Sequence, residues 1–159
     1  MSIREVKAFF AARGMEDRVL EFDTSSATVE LAAQTVGVIP ARIAKTLSFM
    51  TPDGPLLVVT AGDAKIDNHK FKETFGCKAK MLTPEEAVEL IGHAVGGVCP
   101  FAVKPGVKTC LDVSLRRVTT VFPACGSSNS AIELTCEELY ELSEALALVD
   151  VCKGGQDAE

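Results

Sequence analysis

Few side chains in this sequence are suited to chemistry, and Lys45 is the first of them. The segment Ile43-Ala44-Lys45-Thr46-Leu47-Ser48-Phe49-Met50 reads as a strand. Its two-residue period sets Ile43, Lys45, Leu47 and Phe49 on one face and Ala44, Thr46, Ser48 and Met50 on the other. An ammonium group in an apolar row is costly to bury. Such a lysine either reaches water at the strand end, as a snorkelling side chain does, or faces a cavity with anionic partners. A second feature is Gly96-Gly97-Val98-Cys99-Pro100-Phe101. Glycine permits positive φ and close approach, while proline fixes its own φ and restricts the residue before it. The pattern predicts a rigid loop with backbone groups open to a ligand, although a turn needed only for packing has the same signature.

Other polar positions carry two readings each. Thr46 follows the lysine on the opposite face and reads as a structural hydroxyl. Asp63, after Ala61-Gly62, could orient Lys45 or a ribose, or could be ordinary turn chemistry. Ser26 could meet a polar substrate group, with capping of the following helix the favoured role. In Cys125-Gly126-Ser127-Ser128-Asn129-Ser130, residues Ser127 and Ser128 could line a pocket mouth or bind phosphate through a backbone nest, against the reading of a plain surface loop. The six cysteines are widely spaced, with no CxxC pair and no histidine at ligand spacing, so neither a metal site nor a cofactor is expected. Cys99 reads as a small wall residue. A thiol-enzyme role would need an activating imidazole, and no motif brings His69 or His93 to it.

The elements that must position these residues follow an α/β pattern. Ser2-Ile3-Arg4-Glu5 reads as a capping box for an opening helix that Gly14 can end. A second helix is expected over Thr28 to Val36, closed by Gly37 ahead of Pro40. Strands over 43–51 and 55–61 flank Pro52-Asp53-Gly54 as a hairpin. Asp67 caps a short helix through Phe75, followed by a strand from Cys77 to Met81. Thr83-Pro84-Glu85-Glu86 opens a helix to Ile91. Further strands are expected over 107–112, 118–122 and 131–134, and Thr135 opens a final helix reaching Val149. Strands in succession with interspersed helices predict a mixed sheet in one domain over 1–152, with residues 153–159 a frayed tail.

The 159 residues suit a single core, and 47% hydrophobic content excludes a disordered chain. The opening residues contain no secretory apolar core, and no apolar run approaches the roughly 20 residues of a membrane helix, so a cytoplasmic protein is expected. A net charge of −6 offers no general attraction to a polyanion, so any nucleic-acid contact must be local.

Taken together, Ser26-Ala27-Thr28-Val29-Glu30, Arg42-Ile43-Ala44-Lys45-Thr46-Leu47, Ala61-Gly62-Asp63, Gly96-Gly97-Val98-Cys99-Pro100 and Ala131-Ile132-Glu133-Leu134 resemble the YbaK and prolyl-tRNA-synthetase-associated editing-domain family. The resemblance implies a curved mixed β-sheet or partial barrel surrounded by helices. It implies a trans-editing hydrolase that deacylates mischarged tRNA, with cysteinyl or alanyl groups on proline tRNA as the usual substrates. Lys45 matches the family's functional strand lysine, and Gly96 to Pro100 match its GxxxP loop. The implied partners are the acceptor end of mischarged tRNA and a prolyl-tRNA synthetase, with no DNA, no membrane, and a monomer or small homo-oligomer. Ala131 stands where familiar members carry an aspartate, and Cys99 where a smaller polar residue is common. These departures bear on the amino acid removed and the tRNA contacts. A non-catalytic module that binds an amino acid or charged tRNA is the alternative, because the implied apparatus is mostly backbone.

Overall fold

The computed structural model describes residues 2–26 and 28–154. The expected Ser2 cap and the part of the expected tail beyond Gly154 lie outside the described residues. A hairpin organises the sheet. Strand β2 (Ile43–Thr51) pairs antiparallel with β3 (Gly54–Ala61), with Lys45 opposite Thr60, Leu47 opposite Val58 and Phe49 opposite Leu56. The turn is Pro52-Asp53. Thr51 Oγ1 donates to Gly54 O at 2.8 Å and accepts from Asp53 N at 3.2 Å, and Gly54 takes φ 111°, a conformation that glycine adopts without steric cost.

Parallel strands flank the hairpin, β5 (Lys108–Asp112) beside β3 and β6 (Thr120–Pro123) beside β2. Two short strands complete the edges, β8 (Leu134–Thr135) against β6 and β9 (Leu148–Val149) against β5. The order is β8-β6-β2-β3-β5-β9, the mixed sheet that the element pattern predicts, curled into a half-barrel as the family resemblance implies. Outside it, β1 (Val19–Glu21) pairs with β7 (Ser130–Ile132), and β4 (Lys65–Ile66) with β10 (Cys152–Lys153).

Helices cover both faces. Helix α1 (Ser2–Ala11) buries Val6 and Phe10 on Phe101, Val59 and Leu111, and each such large apolar side chain removed from water contributes about 1.5–3 kcal/mol. Helix α3 (Asn68–Phe75) is capped by Asp67, as expected, and buries Phe71 on Phe49 across the other face. Helix α4 (Pro84–Glu86) begins with the full Thr83/Glu86 capping box and runs into a π turn over 87–91 that Gly92 ends.

The structure departs from expectation in four places. The final helix, α5 (Cys136–Leu142), stops short of Val149 because Glu144 turns to φ 52° and residues 146–149 join the sheet edge through Leu146 N to Thr109 O. Residues 77–81 cross the edge of β2 with a single bridge, Phe49 to Met81, and form no strand. The strand expected over 131–134 is split at Glu133, where the chain passes from β1 to β6 as its partner. Lys153 pairs with Lys65, so the frayed reading fails at that residue.

Candidate active site

The site is built on an interruption in the sheet. Strand β2 pairs with β6 only at Ile43 and Ala44. Further along the same edge, Leu82 N donates to Ser48 O at 3.0 Å and Met50 N to Lys80 O at 2.8 Å. Between Ala44 and Ser48 the edge is open. Helix α2 (Val29–Val36) lies beside this opening, capped by Thr28, whose hydroxyl accepts from Leu31 N, and ended by Gly37 at φ 88°. The capping role favoured for Ser26 therefore belongs to Thr28. Helix α2 packs Ala33 and Val29 on Ile43, Phe122 and Ala131. At Gly62 a Cβ would stand 2.4 Å from Pro40 O and 2.6 Å from Val29 Cγ1, so only glycine lets the end of β3 meet this helix.

A cavity of about 290 Å³ occupies the opening. One side is formed by Val29, Ala32, Thr35 and Val36 of α2, the other by Met81, Leu82, Val95, Gly96 and Val98, and the floor by Ala44 to Ser48. Phe122, Ala124, Ala131 and the serines at 127, 128 and 130 close the remaining wall. The lining is mainly apolar, with hydroxyl side chains from Ser26, Thr35, Ser48, Ser127 and Ser128 among it.

Lys45 lines this cavity, half-buried, in the row with Leu47 and Phe49 that the alternation predicts. Burial pulls its pKa below the usual lysine value, while Cys152, Asp63 and Glu30 nearby act in the opposite sense and Lys65 adds to the lowering. Asp63 is itself paired with Arg117, Nη2 to Oδ1 at 2.5 Å, each side chain 22% exposed. It does not line the cavity. Its carboxylate bonds Arg117 at the strand exit and acts on Lys45 through its charge.

The loop residues divide. Gly96, at φ 95°, and Val98 face the cavity. Gly97 is buried against the neighbouring loop, where a Cβ would stand 2.6 Å from the carbonyl carbon and oxygen of Gly126. Pro100 and Cys99 are buried behind the wall. Burial pushes the Cys99 thiol up to about 12. The fold also sets His93 beside it, Nε2 to Sγ 3.6 Å, which no motif foretold. That imidazole is not poised to activate the thiol. Its Nε2 lies 2.8 Å from Phe101 O, and since a carbonyl only accepts, Nε2 carries the proton. Cys99 is a packed wall residue.

Ser26, Ser127 and Ser128 line the cavity as part of a knit between residues 22–26 and 127–130. Ser26 N donates to Ser128 O at 2.7 Å, and Ser26 Oγ meets Thr35 Oγ1 at 3.0 Å. Ser128 Oγ shares a hydrogen bond with Ser25 Oγ. Ser127 Oγ donates to Asn129 Oδ1 at 2.8 Å, and Cys125 N to Ser130 Oγ at 3.1 Å. The segment is thus a built wall and not a plain surface loop. Thr46 also lines the cavity, its Oγ1 buried with no hydrogen-bond partner among the described residues. The apolar face of α2, Phe22, Ser48 and Val95 were not singled out from the sequence. Only Ser48 carried a signal, sharing the alternate row with Thr46.

Residues 23–142 match the model of the aminoacyl-tRNA editing domain. The uncharacterized protein YwhH of Bacillus subtilis (strain 168) is 56% identical over 154 residues, covering 96% of this chain and 98% of its own. Proline–tRNA ligase of Halalkalibacterium halodurans is 32% identical over 110 residues, 68% of this chain but 19% of the ligase. Among solved structures, one described as a candidate trans-editing enzyme for prolyl tRNA synthetase superposes with a TM-score of 0.87 at 32% identity, covering 96% of this chain and 98% of that one. The six-stranded half-barrel, the cavity at its opening and these likenesses agree, and the chain belongs to the aminoacyl-tRNA editing domain family.

Proposed function

We propose that the protein is a trans-acting deacylase that hydrolyses the ester of a mischarged aminoacyl-tRNA, of the alanyl- or cysteinyl-tRNA(Pro) class. The observation that carries this reading is the mainly apolar cavity walled by Lys45, Gly96 and Val98. An aminoacyl ester is already activated, so hydrolysis needs a positioned water and donors for the oxyanion more than a strong nucleophile. Water adds to the ester carbonyl, the tetrahedral intermediate collapses with cleavage of the acyl C–O bond to the ribose, and the proton from water passes to the departing ribose oxygen. The adjacent ribose hydroxyl assists that transfer. The Lys45 ammonium acts as an electrostatic clamp on the carbonyl or the terminal nucleotide, and the loop backbone at Gly96 to Val98 holds the aminoacyl group.

The mainly apolar lining supports an uncharged aminoacyl side chain, and the match to proline–tRNA ligases supports proline tRNA as the carrier. The tRNA body finds little attraction on a chain of net charge −6, which favours delivery by a prolyl-tRNA synthetase over tight independent binding. The test is deacylation of a panel of mischarged tRNAs, chiefly alanyl and cysteinyl forms on proline tRNA, by the wild type and by Lys45→Ala. Turnover abolished in the variant supports the hydrolase with Lys45 in its site. Binding of charged tRNA without turnover on any member of the panel overturns it in favour of a non-catalytic module.

A further inference from the structure

In an antiparallel strand each residue turns its N–H and C=O to the same edge, and successive residues alternate edges. Ser48 and Met50 turn theirs toward the outer edge of β2, as Leu82 N to Ser48 O and Met50 N to Lys80 O demonstrate. Two residues back, Thr46 turns its own N–H and C=O the same way, into the interval between the last pair with β6 at Ala44 and the first bond from residue 82. Lys45 and Leu47 direct theirs to β3 instead. Thr46 thus turns a backbone donor and a backbone acceptor to one stretch of the cavity floor, above its own enclosed hydroxyl, which has no hydrogen-bond partner among the described residues. Around them stand Ala32, Ala44, Phe122 and Ala124, which offer no competing side-chain partner.

A strand edge left open onto a cavity is satisfied by water or by a ligand with its own donor and acceptor at backbone spacing. An aminoacyl ester has that arrangement, an α-ammonium and a carbonyl on adjacent carbons. We propose that the aminoacyl group binds as a one-residue extension of the sheet, its α-ammonium donating to Thr46 O and its ester carbonyl accepting from Thr46 N–H. The inference rests on the deacylase reading and adds to it what the site reads first, a free α-amine. The charge-assisted bond to the ammonium is the selective one, because a neutral group at that position forms a weaker bond.

The experiment uses the whole chain with two non-hydrolysable probes, adenosine carrying an amide-linked alanyl group at its 3′ position and the same molecule with lactyl in place of alanyl. Binding is followed through the amide signal of Thr46 in protein labelled with ¹⁵N-threonine, assigned by its absence in Thr46→Ser. The alanyl probe is expected to shift that signal and to bind about tenfold more tightly than the lactyl probe. Thr46→Val, which exchanges the enclosed hydroxyl for a methyl and leaves the backbone pair in place, is expected to keep the preference for alanyl when binding is followed by calorimetry. Equal affinity for the two probes overturns the proposal, as does binding that leaves the Thr46 signal unmoved. Deacylation of alanyl-tRNA without binding of either probe also overturns it. Absence of both binding and deacylation overturns the deacylase reading on which it rests.

Discussion

Gly97 and Gly126 touch backbone to backbone, so closely that a Cβ at position 97 would stand 2.6 Å from the Gly126 carbonyl carbon and oxygen and 2.7 Å from Ser127 N. The contact locks the loop that carries Gly96 and Val98 to the serine segment across the cavity. Gly97→Ala must separate the two loops. A destabilisation of about 1–3 kcal/mol is expected, together with loss of deacylation, because the clash is with backbone and cannot be relieved by a rotamer. Gly96→Ala, strained only by its positive φ and with Ser128 Cβ at 3.4 Å, is expected to cost about 1 kcal/mol. Urea unfolding of the two variants beside the wild type measures the difference.

Lys45 is expected to trade stability for activity. Its folded pKa lies below its unfolded value, so between those two values the unfolded chain binds more protons and stability rises with pH. Below that window the buried ammonium is a net cost. Lys45→Met is therefore expected to match or exceed the wild type in stability at pH 7, while deacylation falls by about 10²-fold or more. The wild-type enzymatic rate should decline at alkaline pH below 10.5, as the ammonium deprotonates. Thermal melts together with a pH–rate profile check both statements.

His93 gives the fold an acid-sensitive point. It is 1% exposed, and burial depresses its pKa below 6.5 despite the bond to Phe101 O. As pH falls through 6.5 the unfolded chain takes up a proton that the native chain refuses, so stability declines with acidification. Replacing the imidazole by leucine should flatten this limb of the stability curve between pH 6.5 and 5 while lowering stability at neutral pH, since Phe101 O loses its donor. A variant curve parallel to that of the wild type over this range would contradict the assignment.

The cysteines should separate by burial. Cys77 and Cys136 are half-buried, whereas Cys99 and Cys125 are fully enclosed and their thiols are pushed up by burial, that of Cys99 to about 12. Alkylation of native protein at pH 7.5 should label Cys77 and Cys136 and spare Cys99 and Cys125 until unfolding. Cys99→Ala should retain deacylation. Rapid modification of Cys99 with loss of activity would restore a thiol mechanism.

Much of the architecture is written in local sequence. The caps at Asp67, Thr83 and Thr135 satisfy the first N–H groups of their own helices, and the alternation from Ile43 to Met50 places Lys45 with Leu47 and Phe49 and Thr46 with Ser48. These are decisions within a few residues, and the chain makes them wherever it is put. Which strand covers which edge is a decision between distant segments. The halt of β6 at Ala44, the bond from residue 82 at Ser48, the meeting of His93 with Cys99 and the pairing of Asp63 with Arg117 all depend on closure of long loops, and no local period records them. The sequence by itself determined the lysine's row and the loop's stiffness. The cavity between them exists because the tertiary structure leaves one edge of β2 uncovered between Ala44 and Ser48, and an uncovered edge is a property of neighbours and not of the strand.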